Sequence, residues 1–139
     1  MAALVLTDAF VEINAIDHSD HVRQVSVDAN ADAPESTAMS AAGWRAFLAG
    51  GLKGASLTVE FNQDYVAANV DEKMFALLGV STAIKVRPVK SAAISTNNPE
   101  LQFNGILTSF PPVSGAVGER AAAAVNFIVT GALVRDVTP

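Results

Sequence analysis

The stretch VEINAIDHSDHVRQVSV, residues 11–27, decides how the chain is read. In its first part Val11, Ile13 and Ala15 fall on one side of an extended chain and Glu12 and Asn14 on the other. In its last part Val25 and Val27 are opposed by Gln24 and Ser26. A period of two marks strands buried on one face only. Between the runs lies Asp17-His18-Ser19-Asp20, whose Asp and Ser side chains bond nearby backbone and favour a change of direction. The reading is two half-buried strands around a polar hinge.

Working outward, residues 55–62 alternate most cleanly, with Leu57, Val59 and Phe61 set against Ser56, Thr58, Glu60 and Asn62. Residues 84–89 form a strand with Lys85 and Arg87 on one face, and Pro88 marks it as an edge. Residues 91–95 and 100–110 read as strands joined through the turn Asn97-Asn98-Pro99. A turn over residues 111–118 leads into residues 120–137, one long strand or two. A single helix spans residues 69–79. Asn69 is its N-cap, Glu72 completes a capping box, and Gly79 is its stop. Val70, Met74, Leu77 and Leu78 recur at helical spacing beside Phe75, a core-packing pattern. Residues 30–43, NADAPESTAMSAAG, lack periodicity and read as a long loop, with a helical turn over residues 36–44 as the alternative. No linker or repeat interrupts the chain, so one domain over residues 1–139 is expected. The fold class is mainly β: an antiparallel sandwich or barrel flanked by one α-helix.

With 139 residues, half of them hydrophobic, the chain can bury ~70% of its unfolded surface. Mean hydropathy is +0.33, yet no run approaches the ~20 apolar residues of a spanning helix. The start, Met-Ala-Ala-Leu-Val-Leu, has no basic leading region, which argues against a secretory signal. An apolar-rich chain without a membrane span is expected to hide surface against other subunits. No cysteine is present, which excludes disulfides and thiolate metal sites. The net charge of −5 argues against tight nucleic-acid binding, which needs clustered Lys and Arg.

Three constellations bear on chemistry. Asp17-His18-x-Asp20-His21 holds both histidines but lacks further converging ligands for a zinc site, and reads as a capped turn. Glu60 with Asp64, and Asp71 with Glu72, read as a solvated face and a helix first turn rather than acid–base pairs. Gly115-x-x-Gly118 lacks the Lys-Ser/Thr ending of a phosphate loop, and no nucleophile elbow is present. No enzyme, metal or cofactor is expected.

The hinge pattern Asn14-x-x-Asp17-x-Ser19-Asp20 between two strands resembles the opening of bacteriophage tail tube (major tail) proteins. Phe61-Asn62-Gln63-Asp64-Tyr65 resembles a run in major tail proteins of tailed phages, particularly those infecting actinobacteria. Val70-Asp71 with Leu77-Leu78-Gly79, Val86-Arg87-Pro88, Ser95-Thr96-Asn97-Asn98-Pro99, Phe103-x-Gly105 and the turn at 111–118 continue the likeness in the same order. His18 departs from it, standing where an apolar residue is expected.

The resemblance implies a structural virion protein whose rings, typically of six subunits, stack into a tube that conducts viral DNA into the host. The helix at 69–79 would lie outside, and the loop at 30–43 would order on assembly, with Asp32, Pro34, Glu35 and Met39 as inter-ring candidates. Glu12, Asp28, Glu60 and Asp64 are candidates to face the lumen, because an acidic bore avoids holding DNA. Expected partners are further copies of the chain and the tape measure, tail-tip and terminator proteins. DNA passes without specific binding and no membrane is involved. The expected location is the virion tail, with assembly in the host cytoplasm. Rival readings are a tail terminator, a type VI inner-tube protein, or a small-ligand-binding β-barrel.

Overall fold

A computed structural model describes residues 4–39, 42–67 and 69–139. Among the described residues seven strands and one α-helix follow in the order β1 (Phe10–Ile13), β2 (Ile16–Asp17), β3 (Val22–Ala31), β4 (Lys53–Asn62), α1 (Val70–Leu77), β5 (Ser81–Arg87), β6 (Glu100–Ser109) and β7 (Ala122–Asp136), with a single 3-10 turn at Ser19–His21. They form one curled antiparallel sheet in the order β2-β1-β5-β6-β7-β4-β3, a half-barrel with a single helix.

Antiparallel partners share a face, so register carries each strand's alternation across the sheet. Leu57 pairs with Phe127, Val59 with Val125 and Phe61 with Ala123 between β4 and β7. Ile84 pairs with Phe103 between β5 and β6, and with Ile13 between β5 and β1. These residues make one apolar face, onto which α1 sets Val70, Met74 and Leu77. Phe61 and Phe127 are fully buried, each worth roughly 2–3 kcal/mol of transfer free energy. Gly105 leaves room there: a Cβ at that position would stand 2.9 Å from Ile84 Cδ1.

Several expectations are corrected. Ala15 does not continue the first strand. Asn14 and Ala15 both take positive φ (54° and 62°) and turn β1 into the short β2. That left-handed two-residue turn suits a hairpin, Asn tolerates it, and Ala gave no warning of it. The hinge changes direction as expected. The Ser19 N–H donates to Asp17 Oδ1 at 2.9 Å, and the Val11 N–H donates to Ser19 Oγ at 3.0 Å. The two strands it separates do not pair, because β1 joins β5 while β3 joins β4 at the far edge.

Pro88 ends β5 rather than marking an edge, since β5 lies between β1 and β6. Residues 91–95 form a loop instead of a strand. The buried Asn98 amide donates to the carbonyls of Val89, Ala92 and Ala93 and takes the Val89 N–H on its oxygen, so the backbone bonds a side chain. The helix starts after Asn69, but the Asn69 side chain does not cap it. Asn69 Nδ2 donates to Asp64 Oδ2, and the Asp71 N–H is taken by the Asp64 carbonyl. Gly79 (φ +78°) ends the helix as expected. Phe75 and Leu78 face solvent rather than the core. Residues 120–137 hold one strand, β7, interrupted opposite β6 at Gly131 (φ +84°).

His18 packs edge-on against Phe61, with ring centroids 5.8 Å apart, and its Nε2 has no hydrogen-bond partner among the described residues. Burial, then the nearby His21, holds its pKa below the ordinary imidazole value. The unfolded chain therefore binds a proton that the folded chain resists. This site's contribution to stability is complete above about pH 6.5 and is lost as pH falls below it. Urea titrations from pH 7.5 to 5 should show that loss in the native chain. His18→Leu should flatten it, and an equal loss in the variant would exclude His18 as the cause.

Candidate functional site: assembly surfaces

The face of the sheet away from α1 is built by the other half of each alternation. Register places Glu12 opposite Lys85, Gln24 opposite Glu60, and Asp28 opposite Ser56. Thr58 pairs with Asn126, their side chains hydrogen-bonded at 3.1 Å, and Asn104 pairs with Thr130. Three of the four acidic candidates, Glu12, Asp28 and Glu60, thus share this hydrated face although they lie on three strands. Asp64 lies beyond the end of β4. Its carboxylate accepts the Val66 N–H (2.9 Å), His21 Nε2 lies 2.9 Å away, and Asn69 Nδ2 donates at 2.7 Å. The Val66 N–H first, then His21, lower its pKa and keep it ionised. Asp64 is a fastener between the end of β4 and the start of α1.

Cations pair with carboxylates on the polar face, Arg23 and Arg120 without a sequence signal and Arg87 on the strand face that it shares with Lys85. Arg23 Nη1 stands 2.9 Å from Glu60 Oε1, and Arg120 Nη2 stands 3.4 Å from the same oxygen. Arg87 pairs with the buried Glu100 at 2.8 Å and lies over the Phe10 ring. Arg23 occupies an irregular position between Val22 and Gln24, where the pairing with β4 shifts. Such an irregularity cannot be read from a period of two, so the reach of Arg23 to Glu60 had no sequence signal.

The His/Asp hinge divides its members. His18 turns into the core, while His21 lies between Asp64 and Asp20. Asp17 pairs with Lys90 at 2.8 Å; burial works against its charge, but Lys90 and Ser19 hold its pKa below the ordinary value. Among the described residues no group of three or more His, Cys, Asp or Glu is placed to hold a metal ion.

The loop expected at 30–43 starts later, because Asn30 and Ala31 still pair with Gly54 and Lys53. Beyond them the chain runs out as an arm over residues 32–52. The Asp32 N–H donates to the Leu52 carbonyl at 2.7 Å, Leu48 N–H to the Pro34 carbonyl at 2.7 Å, and Ser36 N–H to the Ala46 carbonyl at 2.8 Å. Glu35 bridges Phe47 across the arm. Ser36 belongs to this ladder, and the alternative helical turn over 36–44 includes residues 40 and 41, which lie outside the described residues. Asp32, Pro34, Glu35 and Met39 are all exposed on the arm. Sequence reasoning missed its apolar members: Trp44 is 80% exposed, Leu52 83%, and Phe47 and Leu48 more than half. Tyr65, Val66, Phe75, Leu78 and Val80, in the helix and the segments before and after it, are also exposed.

This fold occurs in known assemblies. A chain from the virion of a native gene transfer agent particle superposes with a TM-score of 0.75 over 96% of this chain and 99% of that one, at 19% sequence identity. A chain from the tail of an empty gene transfer agent particle, determined with helical refinement and C6 symmetry, gives the same TM-score and coverage at 18% identity. At such identity the likeness establishes a shared fold. No protein-family model and no curated protein matches the sequence.

The base of the arm depends on Gly51. A Cβ there would stand 2.1 Å from the Asp32 carbonyl oxygen, which is backbone and cannot move aside. Gly51→Ala should therefore part the arm's two strands while leaving the core standing. Limited proteolysis should cut the variant faster within residues 32–52, with urea stability changed by less than about 1 kcal/mol, as expected away from the core. Unchanged cleavage would show that the arm does not need this contact.

Proposed function

We propose that the chain is a tail tube protein: a single-domain structural virion component that assembles into stacked, six-membered rings and forms a conduit for DNA ejection. The observation that carries the reading is the fold match over nearly the full length of both chains, one of them from a tail of C6 symmetry. The sequence resemblance to major tail proteins of actinobacteriophages points the same way and narrows the class. The surfaces suit the role. Strand β3, ten residues long, pairs only with β4 and offers a free edge for strand addition from another copy. The arm bearing Asp32, Pro34, Glu35 and Met39 reaches away from the sheet and would contact the next ring. Its partners would be further copies of itself, with tape measure, tail-tip and terminator proteins at defined positions. The site of action would be the virion tail, after assembly in the host cytoplasm. No catalytic step is proposed.

The face away from α1 would line the lumen. Holding DNA requires cations free to displace counterions from phosphate. Here Arg23 and Arg120 are engaged by Glu60, Arg87 by Glu100, and Lys85 stands opposite Glu12. The sliding surface is thus neutral and hydrated, with Asp28 adding charge that has no ion-pair partner among the described residues. Sixfold repetition would turn each Asp28 into a ring of carboxylates.

Negative-stain microscopy over a concentration series, with a tail-tip nucleus supplied where needed, should show long hollow tubes with a regular axial repeat. Single rings would mark a terminator-type part, and compact monomers even with a nucleus would overturn the reading. In phage carrying Glu12→Lys with Asp28→Lys, tubes should form normally and DNA ejection should slow. Ejection at the native rate would remove the electrostatic account of sliding.

A further inference from the structure

The apolar side of the sheet carries an open groove that α1 does not cover. It has a volume of about 400 Å³ and is lined by Leu6, Val25, Val27, Val86 and Leu101, with Arg135 at its rim. That volume lies in the range in which protein clefts accept compact apolar groups. We propose that this groove receives the 32–52 arm of a second copy of the chain, with Phe47 entering it and Glu35 meeting Arg135. The inference rests on the self-assembly reading and names one of its contacts.

Three observations choose this occupant. The arm has no core of its own: a backbone ladder and the Thr37 hydroxyl hold it, and Trp44, Phe47, Leu48 and Leu52 all stay in solvent. The groove is the converse, an apolar surface with no segment of its own described chain filling it. The charges also match. Arg87 is held by Glu100, whereas Arg135 makes only a 3.4 Å bond to the Thr96 carbonyl and has no carboxylate partner among the described residues. Glu35 lies directly across the arm from Phe47, so an acid and an aromatic ring approach together. Arg135 in turn lies directly across from Leu101, so a cation and an apolar wall receive them together. Arm and groove are different surfaces of one chain, so the contact is head-to-tail and repeats from copy to copy.

The chain has no cysteine, so introduced thiols are the only ones that can react. Glu35→Cys and Arg135→Cys, both at exposed positions, are mixed and oxidised beside a control mixture of Glu35→Cys with Asn126→Cys on the polar face. Docking raises the local thiol concentration, so the first mixture should form the intermolecular disulfide more than about tenfold faster than the control. Equal rates would overturn the groove as the arm's receptor. In a second experiment Glu35→Arg should reduce self-association, and Glu35→Arg combined with Arg135→Glu should restore it. Failure of the double variant to restore association would reject the pairing. The tube reading fails separately. Tubes that survive Glu35→Arg, with equal crosslinking rates, sink the groove alone, while rapid crosslinking without tubes sinks the tube and keeps the contact.

Discussion

A sheet that is apolar on one side must cover that side, and here the sheet outgrows its cover. Strand β7 has 15 residues, an extended length of about 50 Å at 3.3 Å per residue. Helix α1 has eight, about 12 Å at 1.5 Å per residue. Val70, Met74 and Leu77 therefore shield only the end of the sheet around Phe61 and Leu107, and burial falls away along the strands. Val25, Val27, Leu101, Val129 and Leu133 stay partly buried because nothing of comparable bulk lies over them. The groove, the half-open barrel and the two free edges all follow from that mismatch in length.

The same constraint explains what could be read from the sequence. Alternation with a period of two is a local property, so strand β4 and its buried trio Leu57, Val59 and Phe61 were plain, as was the helix ending at Gly79. Strand order is not local. The hinge at 17–20 was legible as a change of direction, but nothing in it says that β1 and β3 lie near opposite edges of the sheet. The misread segments each turn on one side chain or dihedral angle that composition does not encode. Asn98 draws 91–95 out of any strand by taking up its carbonyls, and Ala15 adopts a left-handed conformation that Asn14 alone would have suggested.

The candidate surface was legible by the same logic, and only in part. Glu12, Asp28 and Glu60 occupy polar positions of alternating strands, so placing them on one face required only that the strands join one sheet. The cations that pair with Glu60 arrive from a strand irregularity and from the loop before β7, where periodicity has no force. Asp64 follows the end of its strand and is drawn into a local network with His21, Asn69 and the Val66 N–H. A carboxylate past a strand end is more readily recruited to local backbone donors than kept for a distant surface. The arm was legible as the part without a pattern, but its Trp44 and Phe47 became meaningful only once the structure left them in solvent.

Charge pairing gives the proposed bore a property that surplus acid would not. A wall of unpaired carboxylates would repel DNA but would also repel itself across a ring, and that self-repulsion would tend to open the ring. Pairing most cations and acids within one subunit removes both difficulties. Glu60 holds two arginines against the sheet, Glu100 holds a third, and Thr58, Asn104, Asn126 and Thr130 add groups that bind water well and phosphate weakly, beside Glu12, Lys85, Asp28 and the exposed Ile128. The exposed pairs of Arg23 and Arg120 with Glu60 contribute only about 0–1 kcal/mol each to folding, so stability is a poor explanation for them. Their stronger effect is on the field above the sheet. An arginine already held by a carboxylate has little left to offer a passing phosphate, and a polyanion can move along such a wall without a sequence of sites to leave.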